Sequence, residues 1–540
     1  MNTYLALTIG PIYKTLSLAQ RTREFWGCSY MFSWIMREII KGLIDDKKTI
    51  GPKDILMPHR DQHTNLQKGT GLYHDRMIAE IKPDKKDQAL ADFKSVADSV
   101  LGKITEKSGI PLSVLQSYFR LNVILFDLEE SHNIVETVTN YLDSLELQNP
   151  IFHDAYKIDW PAVIDDLNGS QFYKDAFLDG EFNFIFDSIP EIATRGLKSI
   201  KEDEYKKLVK KYIKDQFKTG SSKKKELEDQ DEFIRQLSGS YFFKDAFRNY
   251  HKYIAIVHAD GDNFGKTITT IGSSSKDVKD LSSLLFGFAS DAANEIKEYG
   301  GTNVYAGGDD LLFFAPVATV NTNGNQTIFD LINKLDDHFK TTVSDKLIKI
   351  PESDRPTLSW GVSISYYKFP LSEAIVSSRK LLFDDAKEYK GKNAVAFKLI
   401  KHTGQFFGAT FGKGGNDYKY FTSLLKDKFN TETDFISSLQ YRISENETLL
   451  RAIFKATDYP VRIENFFDNF FDEEIHSNKK VFVHAVRDML IQAFDDSKIS
   501  AEKLKVMSKE EAHKDRVKTA IDKTYSSLRF IHFLNSKSDE

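Results

Sequence analysis

The chain has 540 residues, 41% hydrophobic and 28% charged, with a formal net charge of −5; at about 100–200 residues per domain this excludes one compact core and predicts roughly three to five units. Its one cysteine, Cys28, excludes a disulfide framework and a multi-Cys zinc site and points to the cytoplasm. The opening MNTYLALTIGPIYK lacks the basic start of a signal peptide, and no run approaches about 18 apolar residues, so no membrane partner is expected.

Residues 3–9 read as a strand ended by Gly10-Pro11, followed by helical periodicity to about residue 44 and a possible short strand at 54–58. Residues 87–148 read as helical, 150–215 as mixed and aromatic, and KTGSSKKKELEDQ at 218–230 as a charged linker. The stretch 250–402 gives strand 253–259, helix 277–298, hairpin 303–314, helix 327–347, strand 357–367, helix 371–389 and strand 394–399. Its first six elements, β-α-β-β-α-β, make a ferredoxin-like unit with an antiparallel sheet. From about 415 onward the pattern is helical, for example 434–454 and 480–494. Tyr4-Leu5-Ala6-Leu7 is echoed by Tyr253-Ile254-Ala255-Ile256; only the second copy runs on into acidic residues. The expected class is α+β. A first unit, which the echo makes a second copy of the ferredoxin-like fold without its acids, spans 1–90 and extends in part beyond. A mostly helical domain spans 91–245, the ferredoxin-like unit with the acidic residues 246–402 and a helical C-terminal domain 403–540.

Two motifs carry chemistry. In Asp260-Gly261-Asp262-Asn263-Phe264-Gly265-Lys266 a strand delivers a carboxylate, and glycines let phosphate or metal approach the backbone. In Gly307-Gly308-Asp309-Asp310 two apolar runs flank a tight turn. Alone, the first reads as an ordinary turn or calcium-like loop and the second as a hairpin turn. Together, in ferredoxin-like order, they bring Asp260 beside Asp309 and Asp310, and such carboxylates repel unless a divalent cation holds them. Asp260, Asp309 and Asp310 are thus the expected catalytic residues and Mg²⁺ or Mn²⁺ ligands, with Asp262 shaping the turn. The nucleotide is expected at Gly261, Asp262, Phe264, Gly265, Lys266, Gly307 and Gly308, with Lys387 and Lys392 of AKEYKGKN reaching its phosphates. Gly261-x-x-x-Gly265-Lys266-Thr267 is one residue short of a P-loop. Arg21 and Arg23 beside Phe25 and Trp26 offer an RNA clamp or ordinary helix salt bridges. His74-Asp75 and His153-Asp154 lack the further ligands of a metal-dependent phosphohydrolase and read as structural.

HADGDNFGK, YAGGDDLLFF, the opening GPIYKTLSLAQRTREFWGCSYMFSWI and GLYHDRMIA together resemble the large polymerase/cyclase subunit of type III CRISPR effector complexes, in the Cmr (III-B) form. The resemblance makes 246–402 a catalytic palm and 1–90 a first, degenerate palm-like domain; the palm is also similar to GGDEF diguanylate cyclases, though about 250 residues precede it here. The resemblance implies an RNA-activated nucleotidyltransferase for antiviral defence. Its partners would be guide (CRISPR) RNA, target RNA and other Cmr-type subunits. It would join ATP units by 3′-OH attack on the α-phosphate into cyclic oligoadenylate, or transfer AMP to S-adenosylmethionine. The family's HD nuclease domain and zinc-binding cysteines are expected to be missing. Two other readings are a non-catalytic RNA-binding scaffold and a stand-alone cyclase.

Overall fold

The computed structural model describes residues 2–19, 21–47, 49–59, 69–129, 131–147, 187–213, 223–321, 324–427, 432–471, 479–497 and 507–537. His153-Asp154 and most of the mixed stretch 150–215 lie outside them. Within the described residues no helix is long and apolar enough to cross a membrane.

Two sheets organise the molecule. The first contains β1 (Asn2–Gly10), β2 (Ile55–Met57), β3 (Arg76–Ile81) and β4 (Arg120–Leu128) in the order β2-β3-β1-β4. Helices Thr22–Lys41 and Lys86–Ser108 complete a β-α-β-β-α-β unit. β4 corrects the expectation of continuous helix over 87–148. Leu121, Val123 and Leu125 pack toward one core while Ile124 and Phe126 pack toward another, so a period of two runs through a segment that looks merely apolar. It pairs with β1 along its whole length, from Asn2–Leu128 to Gly10–Arg120. The first sheet therefore closes well beyond residue 90.

The second sheet contains β5 (Tyr253–Asp262), β6 (Thr302–Gly307), β7 (Asp310–Pro316), β10 (Thr357–Tyr366), β11 (Ala394–Ile400) and β12 (Phe406–Gly412), ordered β12-β11-β10-β5-β7-β6. A small hairpin, β8 (Ala318–Asn321) with β9 (Gly324–Thr327), precedes the helix Ile328–Thr342. The order β10-β5-β7-β6 is the same as β4-β1-β3-β2 in the first sheet. β1 and β5, the two copies of the sequence echo, are equivalent central strands. β12 and the β8–β9 hairpin are elements that sequence periodicity misses. The helix expected over 371–389 ends at Lys380 and passes into a wider π turn at Leu381–Ala386.

The helix Thr22–Lys41 joins the two units. Sixteen of its 20 residues are buried, the mark of a helix packed on several sides rather than one. Phe25 meets Phe314 of β7 at 6.1 Å between ring centres, and the Trp26 indole donates to the Gly69 carbonyl at 2.5 Å. Arg21 is taken up by Glu24 and Glu226, at 3.4 and 2.9 Å, so the salt-bridge reading of this arginine holds. Glu226 lies on the helix Lys223–Gly239, which replaces most of the expected linker. That segment buries Phe233, Ile234 and Leu237, apolar positions that lie just beyond the charged run.

The C-terminal helices do not form a separate core. Phe421, Phe530 and Phe533 share one apolar cluster with Phe329, Trp360 and Phe397 of the second unit, and Tyr253 meets Phe533 at 4.8 Å. The helix expected over 434–454 is two helices, Thr433–Glu445 and Glu447–Ile453, meeting at Asn446. A buried Lys523–Asp417 pair at 2.8 Å ties the last helix to the first of the group.

Candidate active site

β5 is buried from Tyr253 to Ala259 and surfaces only at its end, where Asp260 and Gly261 become half-exposed. β7 runs antiparallel beside it, with Ala259 paired to Leu311. One step further in that register sets Asp260 opposite Asp310. β6 and β7 close with Gly307 paired to Asp310, leaving Gly308-Asp309 as a two-residue loop. Gly308 has φ 78°, the left-handed value that this kind of hairpin turn requires at its first loop position. Both acids of the motif are thus placed by the turn: Asp309 at its tip and Asp310 as the first residue of β7.

The electrostatics reflect that crowding. Burial, then the charge of Asp260, pushes the Asp309 carboxyl up to about 7. Burial, Asp260, Asp309 and Asp75 together hold Asp310 well above the usual carboxylate range, against a hydrogen bond from Tyr305. Asp260 itself forms an ion pair with Lys387, whose ammonium also donates to the Gly261 carbonyl at 2.6 Å. A methyl group on Gly261 would strike the Asp309 carboxylate and the Phe264 ring, each only 2.2 Å from where its carbon would stand, so glycine is what allows the hairpin to dock here. Among the described residues no three His, Cys, Asp or Glu side chains converge on one metal position. In this arrangement Asp260 is turned to Lys387.

Asp262 plays a different part. It is fully buried, and one carboxylate oxygen accepts from Thr357 at 3.0 Å, Ser359 at 2.8 Å and the Asn393 backbone N–H at 2.9 Å. It pins the end of β5 to β10 and to the turn before β11. That turn runs through three left-handed residues, Gly391, Lys392 and Asn393. Lys392 is exposed on it. Lys266 pairs with Asp354 at 2.5 Å, and Gly265 opens to free space. Phe264 begins the helix Phe264–Ile271 and packs partly into the core.

His74 and Asp75 are the residues that sequence reasoning set aside as structural and that the fold brings to this site. The Gly71 carbonyl accepts from the Ala306 N–H at 2.9 Å, a single β-bridge between the two units. This carries the loop from Gly71 to Asp75 along β6, and His74 and Asp75 line one cavity with Tyr305, Gly307 and Asp310. Burial, chiefly, keeps His74 down at about 4 and raises Asp75. The available signal was GLYHDR itself, a turn-forming glycine followed by paired polar residues just before a strand.

Residues 253–396 match the family model described as Cas10/Cmr2, second palm domain, and residues 4–108 match CRISPR-associated protein Cmr2, N-terminal. The CRISPR system Cmr subunit Cmr2 of Pyrococcus furiosus is 27% identical over 188 residues, 30% of this chain and 20% of that protein. The matched stretch thus spans about a fifth of that relative's length. Among solved structures, the apo type III-B Cmr-beta cryo-EM structure has a TM-score of 0.56 at 12% identity, covering 87% of this chain and 77% of that one. Cmr-beta bound to cognate target RNA gives 0.55 at 11% identity, covering 87% and 78%. The apo Csm1-Csm4 cassette gives 0.51 at 10% identity, covering 99% and 70%. At such identities the likeness is one of fold.

Proposed function

Because the chain belongs to the Cas10/Cmr2 family, we propose that it is the nucleotidyl-transferring subunit of a type III CRISPR ribonucleoprotein, with its active site at Asp260, Asp309 and Asp310. The observation that carries this reading is the register of β5 against β7, which sets Asp260 beside the Asp309-Asp310 turn inside the segment that matches the second palm domain.

The residues fit a divalent cation. All the candidate donors are carboxylate oxygens, suited to Mg²⁺ or Mn²⁺. The raised Asp309 and Asp310 are acids that repel each other and Asp260 until a positive charge offsets them. Asp309 and Asp310 would hold the ion, with Asp260 joining once released from Lys387. Bound there, the cation supplies charge neutralisation and activation of the attacking hydroxyl. Lys387 is already at the strand end and exchanges its carboxylate partner for a phosphate oxygen when a triphosphate enters. Gly261 lets the Asp309 carboxylate and the Phe264 ring close on the end of β5 beside it. The 3′-OH of one nucleotide then attacks the α-phosphate of another, giving its proton to water as the P–O bond forms and the bond to pyrophosphate breaks; repetition lengthens the oligomer, and attack of its last 3′-OH on the α-phosphate of its first nucleotide, with loss of that pyrophosphate, closes the cyclic oligoadenylate.

Guide RNA, target RNA and Cmr-type subunits are the proposed partners; one Cmr-beta structure similar in fold is described as bound to cognate target RNA. The test is mass spectrometry of products from isotope-labelled ATP given to the assembled complex with matching target RNA, with and without S-adenosylmethionine. Oligoadenylate in both arms supports the reading. An AMP conjugate appearing only with S-adenosylmethionine keeps the site and changes the acceptor. No nucleotide product in either arm leaves a scaffold, and product from the isolated chain without RNA leaves a stand-alone cyclase.

A further inference from the structure

The helices Glu202–Tyr212 and Lys223–Gly239, with the loop that leads on to β5, share a small apolar core of their own. In Ser240-Tyr241-Phe242-Phe243-Lys244-Asp245-Ala246-Phe247 two phenylalanines four apart, Phe243 and Phe247, enter that core. The backbone is held in that state by the Phe243 and Lys244 N–H groups, which donate to the Ser240 carbonyl at 3.1 and 2.9 Å. The Phe247 N–H donates to the Phe243 carbonyl at 2.8 Å. An anchored loop also fixes what it leaves outside. Tyr241 is 80% exposed and Phe242 46%, their rings edge to face at 5.7 Å. Two adjacent aromatic rings standing in water on a fixed loop mark a surface that something covers.

Each ring carries a cation. Lys244 Nζ lies 5.7 Å from the centre of the Tyr241 ring and Lys201 Nζ 5.8 Å from that of Phe242. Neither ammonium pairs with a carboxylate among the described residues. Of the acids near Lys201, Glu202 is taken up by Lys206 at 2.8 Å and Glu204 by Lys207 at 2.7 Å. Asp203 and Asp245 are the other acids beside the two lysines. Residues 188–213 and 223–252, which build this core, hold fourteen Lys and Arg against ten Asp and Glu, in a chain of net charge −5. The surface is therefore locally basic. The centre of a protein–protein interface is depleted in lysine. A surface for a single strand of nucleic acid instead joins aromatic rings, on which bases stack, to cations that meet the phosphates. A cation–π contact at an exposed site holds an ammonium weakly, so each lysine can turn to a phosphate oxygen.

Resting on the reading of the chain as a subunit that works with guide and target RNA, we propose that Tyr241 and Phe242 form a stacking platform for single-stranded RNA, with Lys201 and Lys244 meeting its phosphates. Tyr367 belongs to the same small core and follows the end of β10, where Tyr366 pairs with Tyr253. The core therefore sits at the start of β5, and about 24 Å of strand separates that start from Asp260. The platform is thus a surface apart from the transferase site.

The test is fluorescence anisotropy of the full chain with a labelled oligouridylate of about ten nucleotides, which brings no adenine to the transferase site. Tyr241→Ala is expected to weaken binding about tenfold and Tyr241→Phe to leave it within about twofold, since stacking needs the ring and not the hydroxyl. Lys201→Ala and Lys244→Ala should each lower the slope of log affinity against log salt by about 0.7, one phosphate contact on a single strand. A duplex RNA of the same length should bind without regard to Tyr241, because its bases are stacked on one another. Oligouridylate affinity indifferent to Tyr241→Ala overturns the platform. So does a wild-type chain that leaves the oligomer free, or a duplex that depends equally on Tyr241. Loss of a Cmr-type subunit from the assembled Tyr241→Ala complex, with RNA affinity unchanged, makes the surface a protein interface and overturns it as well. All of these outcomes leave the transferase reading standing, because the products made from ATP test it separately. Tyr241 stands in solvent, so its variants should melt at the wild-type temperature and report on binding alone.

Discussion

Asp262 accepts three hydrogen bonds, while Asp309, at the hairpin tip, faces the charge of Asp260. Substituting each should therefore act in opposite directions. Asp262→Ala leaves three donors stranded in the interior and is expected to cost about 3–5 kcal/mol, read by urea denaturation. Asp309→Asn removes a repelled carboxyl. Its folded value of about 7 lies above the ordinary 3.8, so the native state holds the proton more tightly than the unfolded one. Wild-type stability should then fall as pH rises from about 4 to about 7, with the loss complete above that range. In chelator-treated protein Asp309→Asn should be more stable than wild type at pH 8 by about 1–2 kcal/mol, discounted for partial solvent exposure, and no more stable at pH 4. A variant less stable than wild type at pH 8 would remove the electrostatic account of this site. The three acids and their glycines were readable in the sequence because they punctuate strong apolar runs. Lys266, expected at the nucleotide, pairs here with Asp354 from the first turn of the helix Phe264–Ile271; that partner comes from a distant segment, which its sequence neighbours do not reveal.

Three elements meet at the site: the end of β5, the β6–β7 turn and the turn before β11. Gly261 is where the first two touch. Gly261→Ala is expected to fold yet push the hairpin tip away, because the methyl group and the Asp309 carboxylate cannot share that space. A displacement on the order of 1 Å predicts a loss of about a hundredfold in product formation with little change in melting temperature. Activity near the wild-type level in Gly261→Ala would show that hairpin docking is not required. The second unit was legible because its strands and helices change period cleanly from 2 to 3.6. The first was legible only in part: β1, the long helix and the short β2 were readable, but β3 was not, and β4 follows two helices without a strong turn signal. The approach of Gly71, His74 and Asp75 to β6 was hidden for another reason: it depends on how the two units pack, which no local pattern records.

At the scale of the whole molecule, the helix Thr22–Lys41 is shared core. Its residues and those of β5, β6 and β7 belong to one apolar cluster. Phe25→Ala should cost about 3–5 kcal/mol, and the two units should still unfold in a single calorimetric transition. Two separated transitions in the native chain would show that the units are energetically independent. Coupling of this kind suits a cavity whose walls come from both units. The central claim remains the chemistry at the end of β5. It is tested most directly by giving Asp309→Ala/Asp310→Ala, in the assembled complex with target RNA and Mg²⁺ or Mn²⁺, isotope-labelled ATP and following nucleotide products by mass spectrometry. The structure predicts loss of product by at least about a thousandfold with the complex intact; product formed at the wild-type rate would contradict it.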